Sequence, residues 1–531
     1  MPPAVSSSES EQPLLRQTDA GSTLHWKGIN FYPGADPVEY ARRKARVFSL
    51  LPRTLVFVPS VGLGYGLDEL LRALPAGSEV LCVEAFQEVM RIALTGIPRD
   101  SRLHVVRTAD AADAAAVLRQ LGPGRFRRVA EVPLCAGYRA APGLYADIRS
   151  LLEQEVMRYW QNRLTMIALG SLQVRNLISN LALLPAADDF SALFTDRPVV
   201  VAGAGPSLEG SLPLLAEQRG RFTLVAVDTA LPTLRGGGLA PDLVVAVEAQ
   251  AANNQDFIPA PAAPALLAAD LSVHPSAARL FPGRLYFFSS EFAPLRFWER
   301  LARAGLRPFP FPALGSVGVA AVHAAVALTT GAIFLTGLDF SFPDGRTHAR
   351  GSPVSLSMLA RCCRLEPAGQ DVFRSLEARR LVRRPDKRGR PVLTDRVMSS
   401  YRDGLEAEVR AASRPFFDCG ETGLPLGART ISESEFAALL PAAAVTGQAV
   451  RVRPDRRFAG SAVRPFIASE RSLLAEFLRA PSGPRLSEID YAWAHFPDEP
   501  EPSSPDQGFV ARARVAALYY DERWRRIESV L

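Results

Sequence analysis

Residues 199–215 read VVVAGAGPSLEGSLPLL: small aliphatic residues, a Gly-Ala-Gly-Pro-Ser turn, then apolar residues at helical spacing. The Val and Ala run predicts a buried strand, and Gly203 and Gly205 permit backbone angles or close approaches that a side chain would block. Pro206 suits a first helical turn, where its fixed φ helps and its missing N–H is not needed. Ser207 adds a hydroxyl near the exposed amides that follow. Free amides at a helix start attract an anion, so the stretch reads as a phosphate or nucleotide seat, or else as an ordinary strand-to-helix turn. Both readings predict an α/β fold.

The same theme recurs upstream. TLVFVP at 54–59 is followed by SVGLGYG, an apolar-periodic LDELLRALP, and EVLCVEAF. Gly62, Gly64 and Gly66, with Glu84 closing the next strand, have the outline of a dinucleotide or S-adenosylmethionine fingerprint, a weak signal that a purely structural turn also satisfies. Residues 145–184 have apolar spacings of three and four and no proline before Pro185, which predicts a long helix or helix pair. Downstream, strands are expected at 198–202, at 223–228 ending in Asp228, at 243–248 ending in Glu248, and at 332–336 running into TGLDFSF, with a helix at 316–330. Strands alternating with helices predict a mostly parallel sheet whose ligand lies beyond the strand C-termini, and Gly203, Gly205, Asp228, Glu248 and Asp339 all fall at that edge.

The expected organisation is a disordered tail (1–24), an N-terminal Rossmann-like domain (25–144), a helical linker (145–194), a central domain (195–440) and a mixed or helical C-terminal extension (441–531). A chain of 531 residues, 48% hydrophobic, is long enough for two or three such cores. It carries 61 basic and 55 acidic residues for a net charge of +6, yet only Lys27, Lys44 and Lys387 are lysines. No basic stripe interleaves with aromatics, so no nucleic-acid partner is expected. Five cysteines without a CxxC pair argue against a disulfide framework or thiolate zinc site, and no metal site is expected. The polar, acidic N-terminus lacks the pattern of a signal peptide, which predicts a cytoplasmic protein. The apolar stretch 313–339, rich in Ala, Gly and Thr and containing His323, reads as a buried helix plus strand rather than a membrane span. RRLVRRPDKRGRPV at 379–392 reads as an Arg-rich loop, a solvated surface or one for an acidic partner.

Several blocks together carry a resemblance. They are GLGYG with VEAF, GAGPSL with VAVDTALPTL and APDLVVAVEAQ, GSVGVAAVHAA with TGLDFSFPDGRTHARGS, and DCGETGLPLGA. In this order and spacing, over about residues 50–435, the chain resembles the motility-associated factor (Maf) flagellin glycosyltransferases, which have a 6-hydroxymethylpterin diphosphokinase MptE-like central domain. The central blocks are also similar to bacterial sialyltransferases that use CMP-sialic acid. The resemblance implies two Rossmann-like units, the central one sialyltransferase-like. It implies a donor substrate that is a CMP-activated nonulosonic acid of pseudaminic or legionaminic type, no tightly bound cofactor, and transfer to Ser or Thr hydroxyls of flagellin.

Carried over residue by residue, it makes His348 the catalytic base and Asp339 a second catalytic residue. Gly203, Gly205, Pro206, Ser207, Asp228, Glu248, Asn253, Gly315 and Ser316 would hold the nucleotide. Each has a plainer reading: a loop histidine is commonly just polar, an Asp at a strand end caps or turns, and Ser316 caps the helix it precedes. Glu248 stands where the family more often has Asp. Asn254, His274, Arg350 and Tyr401 are further polar candidates, whereas His323 reads as a core histidine. Two other functions compete: ATP-dependent pyrophosphoryl transfer of the pterin diphosphokinase kind, and a non-catalytic flagellin-binding protein.

Overall fold

The computed structural model describes residues 12–93, 96–258, 265–443, 447–454, 457–497 and 506–531. The chain forms two compact units, 1–165 and 166–531, and the division falls inside one helix, Pro142–Asn180.

The first unit opens with an antiparallel meander of β1 (Leu14–Thr18), β2 (Gly21–Trp26) and β3 (Ile29–Asn30). Residues 14–24 were expected in a disordered tail. They are ordered because Leu24 and Trp26 bury beside Phe31 and Tyr32, a pattern of isolated apolar residues among polar ones that hides a short strand. Residues 1–11 of that tail lie outside the described residues. A four-stranded parallel sheet follows, built from β4 (Thr54–Pro59), β5 (Glu79–Glu84), β6 (Leu103–Arg107) and β7 (Arg128–Glu131) in the order β6-β5-β4-β7. Continuous apolar runs in β4 and β5 match a sheet covered on both faces.

The second unit is built on a ten-stranded sheet, and outside it β9 (Leu193–Phe194) pairs antiparallel with residues Arg451–Val452. The sheet's strands are β8 (Asp188–Asp189), β10 (Val199–Ala202), β11 (Thr223–Val227), β12 (Leu243–Ala246), β13 (Leu266–Asp270), β14 (Leu285–Ser289), β15 (Phe309–Pro310), β16 (Ile333–Thr336), β19 (Phe416–Asp418) and β20 (Arg429–Thr430). The order is β15-β14-β13-β12-β11-β10-β16-β19-β20, with β8 also on β14, and every pairing is parallel. The chain leaves β10 to one side through β15 and returns to the other side as β16. The crevice between β10 and β16 is therefore the topological switch point, where open α/β sheets bind ligands.

Alternation along the strands decides what covers each face. Leu243, Val245, Ala268 and Phe288 join a core with helix Val317–Leu328, and Val244, Ala246, Leu267 and Phe287 join another with helices Val463–Arg479 and Gln507–Val530. The region 441–531, expected as an extension, thus belongs to the second unit. A buried ion pair of Arg300 with Glu470 (Nη2 to Oε2, 3.0 Å) ties it there. Likewise the expected linker is no separate body. Ile148, Leu152 and Val156 lie in a core of the first unit, and Val174, Leu177 and Ile178 in one of the second. By length and composition the stretch Pro142–Ala186 is the one described helix apolar enough to cross a membrane, and 44% of its most apolar window is buried inside the protein.

Candidate active site

At the switch point two turns lock together. After β10, the Gly203 N–H donates to the Thr336 carbonyl (2.8 Å) and the Gly205 N–H to the Gly337 carbonyl (2.8 Å). A Cβ on either glycine would collide with this second turn, Gly203 with the Gly337 carbonyl and Gly205 with the Asp339 carboxylate. Close approach, rather than a left-handed φ, is what demands glycine here. Pro206 and Ser207 form the turn before helix Leu208–Glu217 instead of its first turn, because Ser207 is tied to Asp339. Ser207 does not cap that helix either, and its buried hydroxyl lies beside the Asp339 carboxylate.

Asp339 is the hub. One carboxylate oxygen accepts from the Ser207 N–H (3.0 Å) and the other from the Thr422 hydroxyl (3.0 Å). Burial raises its pKa against the opposing pull of the Ser207 N–H and Lys387. The next residue, Phe340, takes a positive φ of 46°, a strained conformation of the kind that collects at functional sites.

His348 lies on the loop that follows, docked on the glycine turn by the Ala349 N–H donating to the Ala204 carbonyl (2.8 Å). Glu209 clamps that loop from both sides, accepting from Arg346 Nη1 (2.5 Å) and the Arg350 N–H (2.8 Å). Arg350, a polar candidate, is thereby a clamp residue through its backbone. Burial, then the charge of Arg379, lowers the His348 pKa below the ordinary 6.5, so the ring is neutral at neutral pH. Its Nδ1 is 3.1 Å from the Thr347 hydroxyl.

The remaining predicted residues form a neighbouring acidic wall. Asp228 is buried and accepts from the Thr229 N–H (2.8 Å), and the Thr229 hydroxyl reaches Asp256 (3.3 Å). Burial and Asp256 push the pKa of Asp228 up to about 8, burial chiefly moves Asp256 to about 6, and burial raises Glu248. Asn253 bonds Asp256, while Asn254 faces His274 (3.4 Å), which caps helix Pro275–Arg279. Gly315 has a positive φ of 69° and packs on Tyr401, whose own pKa is raised by burial and by Glu248. Ser316 caps helix Val317–Leu328 through the Gly318 N–H (3.2 Å). Among the described residues no three His, Cys, Asp or Glu side chains converge as a metal-ligand set. His323 is paired with Glu408 (2.8 Å) against Phe311.

Three residues that sequence reasoning passed over complete the site. The Arg-rich stretch is not a loop but a hairpin of β17 (Val382–Pro385) and β18 (Pro391–Thr394), because Asp386 organises its tip by accepting from the Arg388 and Arg390 N–H groups (2.9 and 2.8 Å). Lys387 at the tip inserts against Asp418 at the end of β19 (2.7 Å), and both side chains are buried, 3% and 2% exposed. Thr422 follows on the loop. The available signals were one lysine in an arginine run and an Asp opening the DCGETG block.

The first unit's glycine turn differs. Gly62, Gly64 and Gly66 all have positive φ, and their open sides are filled by the Tyr32 ring, the Gly96 backbone and the Ala41 backbone. Glu84 accepts from the Ser60 hydroxyl (2.8 Å) and the Val61 and Phe86 N–H groups (3.1 Å each), so its oxygens are occupied by the protein's own turn. The structural reading of that fingerprint accounts for every glycine.

Residues 173–345 match the family described as 6-hydroxymethylpterin diphosphokinase MptE-like, a span that holds the predicted nucleotide residues and stops three residues before His348. The fold is that of a Maf glycosyltransferase from Magnetospirillum magneticum AMB-1, with a TM-score of 0.54 and 16% identity over 98% of this chain and 90% of that one. An uncharacterized protein of Treponema pallidum (strain Nichols) is 30% identical over 387 residues, 69% of this chain and 67% of that protein. A second uncharacterized protein of the same organism is 32% identical over 89 residues, 15% of this chain and 39% of that protein. The class is thus an α/β protein with an MptE-like segment set in the Maf glycosyltransferase fold. Within that class, this chain belongs to one family with the first Treponema pallidum protein.

Proposed function

We propose that the protein is a cytoplasmic glycosyltransferase that moves a nonulosonic acid from a CMP-activated donor to Ser or Thr hydroxyls of flagellin. The observation that carries the reading is the switch-point crevice, where the Gly203–Ser207 turn, Asp339 and the His348 loop are bonded to one another. In this reaction the bond from the donor's anomeric carbon to the phosphate oxygen breaks, and CMP leaves with the electron pair. The acceptor oxygen bonds the anomeric carbon and loses its proton to His348. Lowered basicity suits that role, since the ring is already neutral, and in the tautomer whose Nδ1 donates to the Thr347 hydroxyl the Nε2 is free to accept the proton. The Gly203, Gly205 and Ser207 N–H groups are already bonded within the two turns, so amides at the start of the helix that Ser316 caps would hold the phosphate, with no tightly bound metal or cofactor required.

The MptE-like match over residues 173–345 favours a second reading, pyrophosphoryl transfer from ATP with magnesium. Thermal shift separates them, because a ligand that binds only the folded state raises its stability. CMP and CDP are expected to stabilise the wild type and His348→Ala but not Gly205→Trp, whose fold is checked by circular dichroism. Stabilisation by ATP with magnesium alone would establish the kinase reading. No response to either nucleotide would leave a flagellin-binding protein without catalysis.

A further inference from the structure

The helices Pro353–Arg361 and Ala368–Glu377 begin four residues after the His348 loop and form a short pair joined by the Arg361–Asp371 ion pair (3.4 Å). Leu376 is the pair's buried anchor, facing Gly345 of the same loop. Pro353 is also buried, and Val354, Met358 and Val372 are half-buried, whereas four large apolar side chains of this segment are bare. Leu356 and Leu359, one turn apart on a single helix face, are 50% and 58% exposed, and Leu365 and Phe373 are 80% and 63% exposed. Soluble proteins rarely leave so many large apolar groups open on one small element without a partner for them.

The electrostatics around the pair are one-sided. Residues 361–390 contain ten basic and four acidic residues, a net +6 that equals the formal charge of the whole chain. Arg364, Arg380, Arg383 and Arg384 have no ion pair within the described residues, and Arg383 and Arg384 lie on the fully exposed strand β17. Exposed apolar side chains and unpaired arginines on one short segment of the chain are complementary to an amphipathic segment that is apolar on one face and acidic on its flanks.

We infer that the helical pair 353–377, with strand β17, is the docking surface for the protein acceptor, which it grips through an acidic amphipathic segment. This rests on the glycosyltransferase reading and adds how a macromolecule is presented to His348. A protein acceptor fits better than a lipid surface because the pair is covalently and sterically continuous with the catalytic loop, where an acceptor hydroxyl has to be held.

The test uses the full-length protein, flagellin purified from the same bacterium, and the CMP-activated donor. Leu359→Asp with Phe373→Asp, and separately Arg383→Glu with Arg384→Glu, alter exposed side chains that touch neither Asp339 nor the glycine turn. Both pairs are expected to raise the KM for flagellin by at least about tenfold while leaving the CMP-induced thermal shift unchanged. The arginine pair is expected to matter less as salt rises. An unchanged KM in both variants overturns the inference. So does unchanged flagellin KM with loss of wild-type binding to vesicles of mixed phosphatidylglycerol and phosphatidylcholine, which would make the surface a membrane contact. Absence of a CMP shift in the wild type instead counts against the glycosyltransferase reading itself.

Discussion

Burial and the Arg379 guanidinium both disfavour the imidazolium form of His348, and this fixes the sign of its pH dependence. The acid limb of the transfer rate is expected below pH 6.5, the ordinary histidine value. His348→Ala is expected to lose about 10²- to 10⁴-fold in kcat, the usual contribution of a general base, with CMP affinity retained. Equal loss of CMP binding would make His348 a binding residue instead. Asp228 gives a stability prediction. Its folded pKa of about 8 lies above the ordinary 3.8, so the folded state holds a proton that the unfolded state releases in that interval, and stability falls as pH rises from about 4 to 8. Asp228→Asn, which stays neutral, should flatten that fall in Tm, and an unaltered slope would show that Asp228 does not cause it. These residues were legible because each stands at a strand end or just beyond one. Lys387, Asp418 and Thr422 were not, since a buried ion pair between a hairpin tip and a distant strand leaves no local pattern.

Glycine turns and hairpins are where local pattern and tertiary packing diverge. The strand–turn–helix at 199–215 follows from its apolar run and glycines, and β10 and helix Leu208–Glu217 form as the sequence predicts. What the glycines are for could not be read, because their neighbour is a second turn more than 130 residues away. Gly205→Ala is therefore expected to disturb the Ser207–Asp339 hydrogen bond and abolish the CMP-dependent thermal shift; a normal shift would mean the turn can relax around a methyl group. The hairpin of β17 and β18 was hidden by its charge, an arginine run being ordinary solvated surface until one lysine finds a buried carboxylate. Removing one partner leaves the other charge buried, so Asp418→Ala should cost about 3–5 kcal/mol in urea unfolding. Lys387→Met with Asp418→Leu should recover much of that loss, and failure to do so would place the pair's importance in the loop geometry of Gly420 and Thr422.

Across the whole chain, the two Rossmann-like units were visible as a repeated strand, glycine turn and helix, but their limits were not. A helix that runs unbroken through Gly170 crosses position 165, and the C-terminal helices join the second unit through Arg300 and Glu470, a pair without sequence proximity. At the second unit's switch point the Ser207 hydroxyl and Asp339 meet between two turns, whereas Tyr32 fills the turn of the first unit. Hydrogen exchange with and without CMP should therefore show protection at 203–207, 316–318 and 339–349 and none at 62–66. Protection confined to 62–66 would move the nucleotide site to the first unit. Lys387 carries one more consequence. It is the sole lysine among residues 166–531, and its ammonium is sealed against Asp418. An amine-reactive reagent thus meets no exposed lysine in the second unit while the hairpin is closed, and the appearance of label at position 387 becomes a built-in chemical clock for its opening.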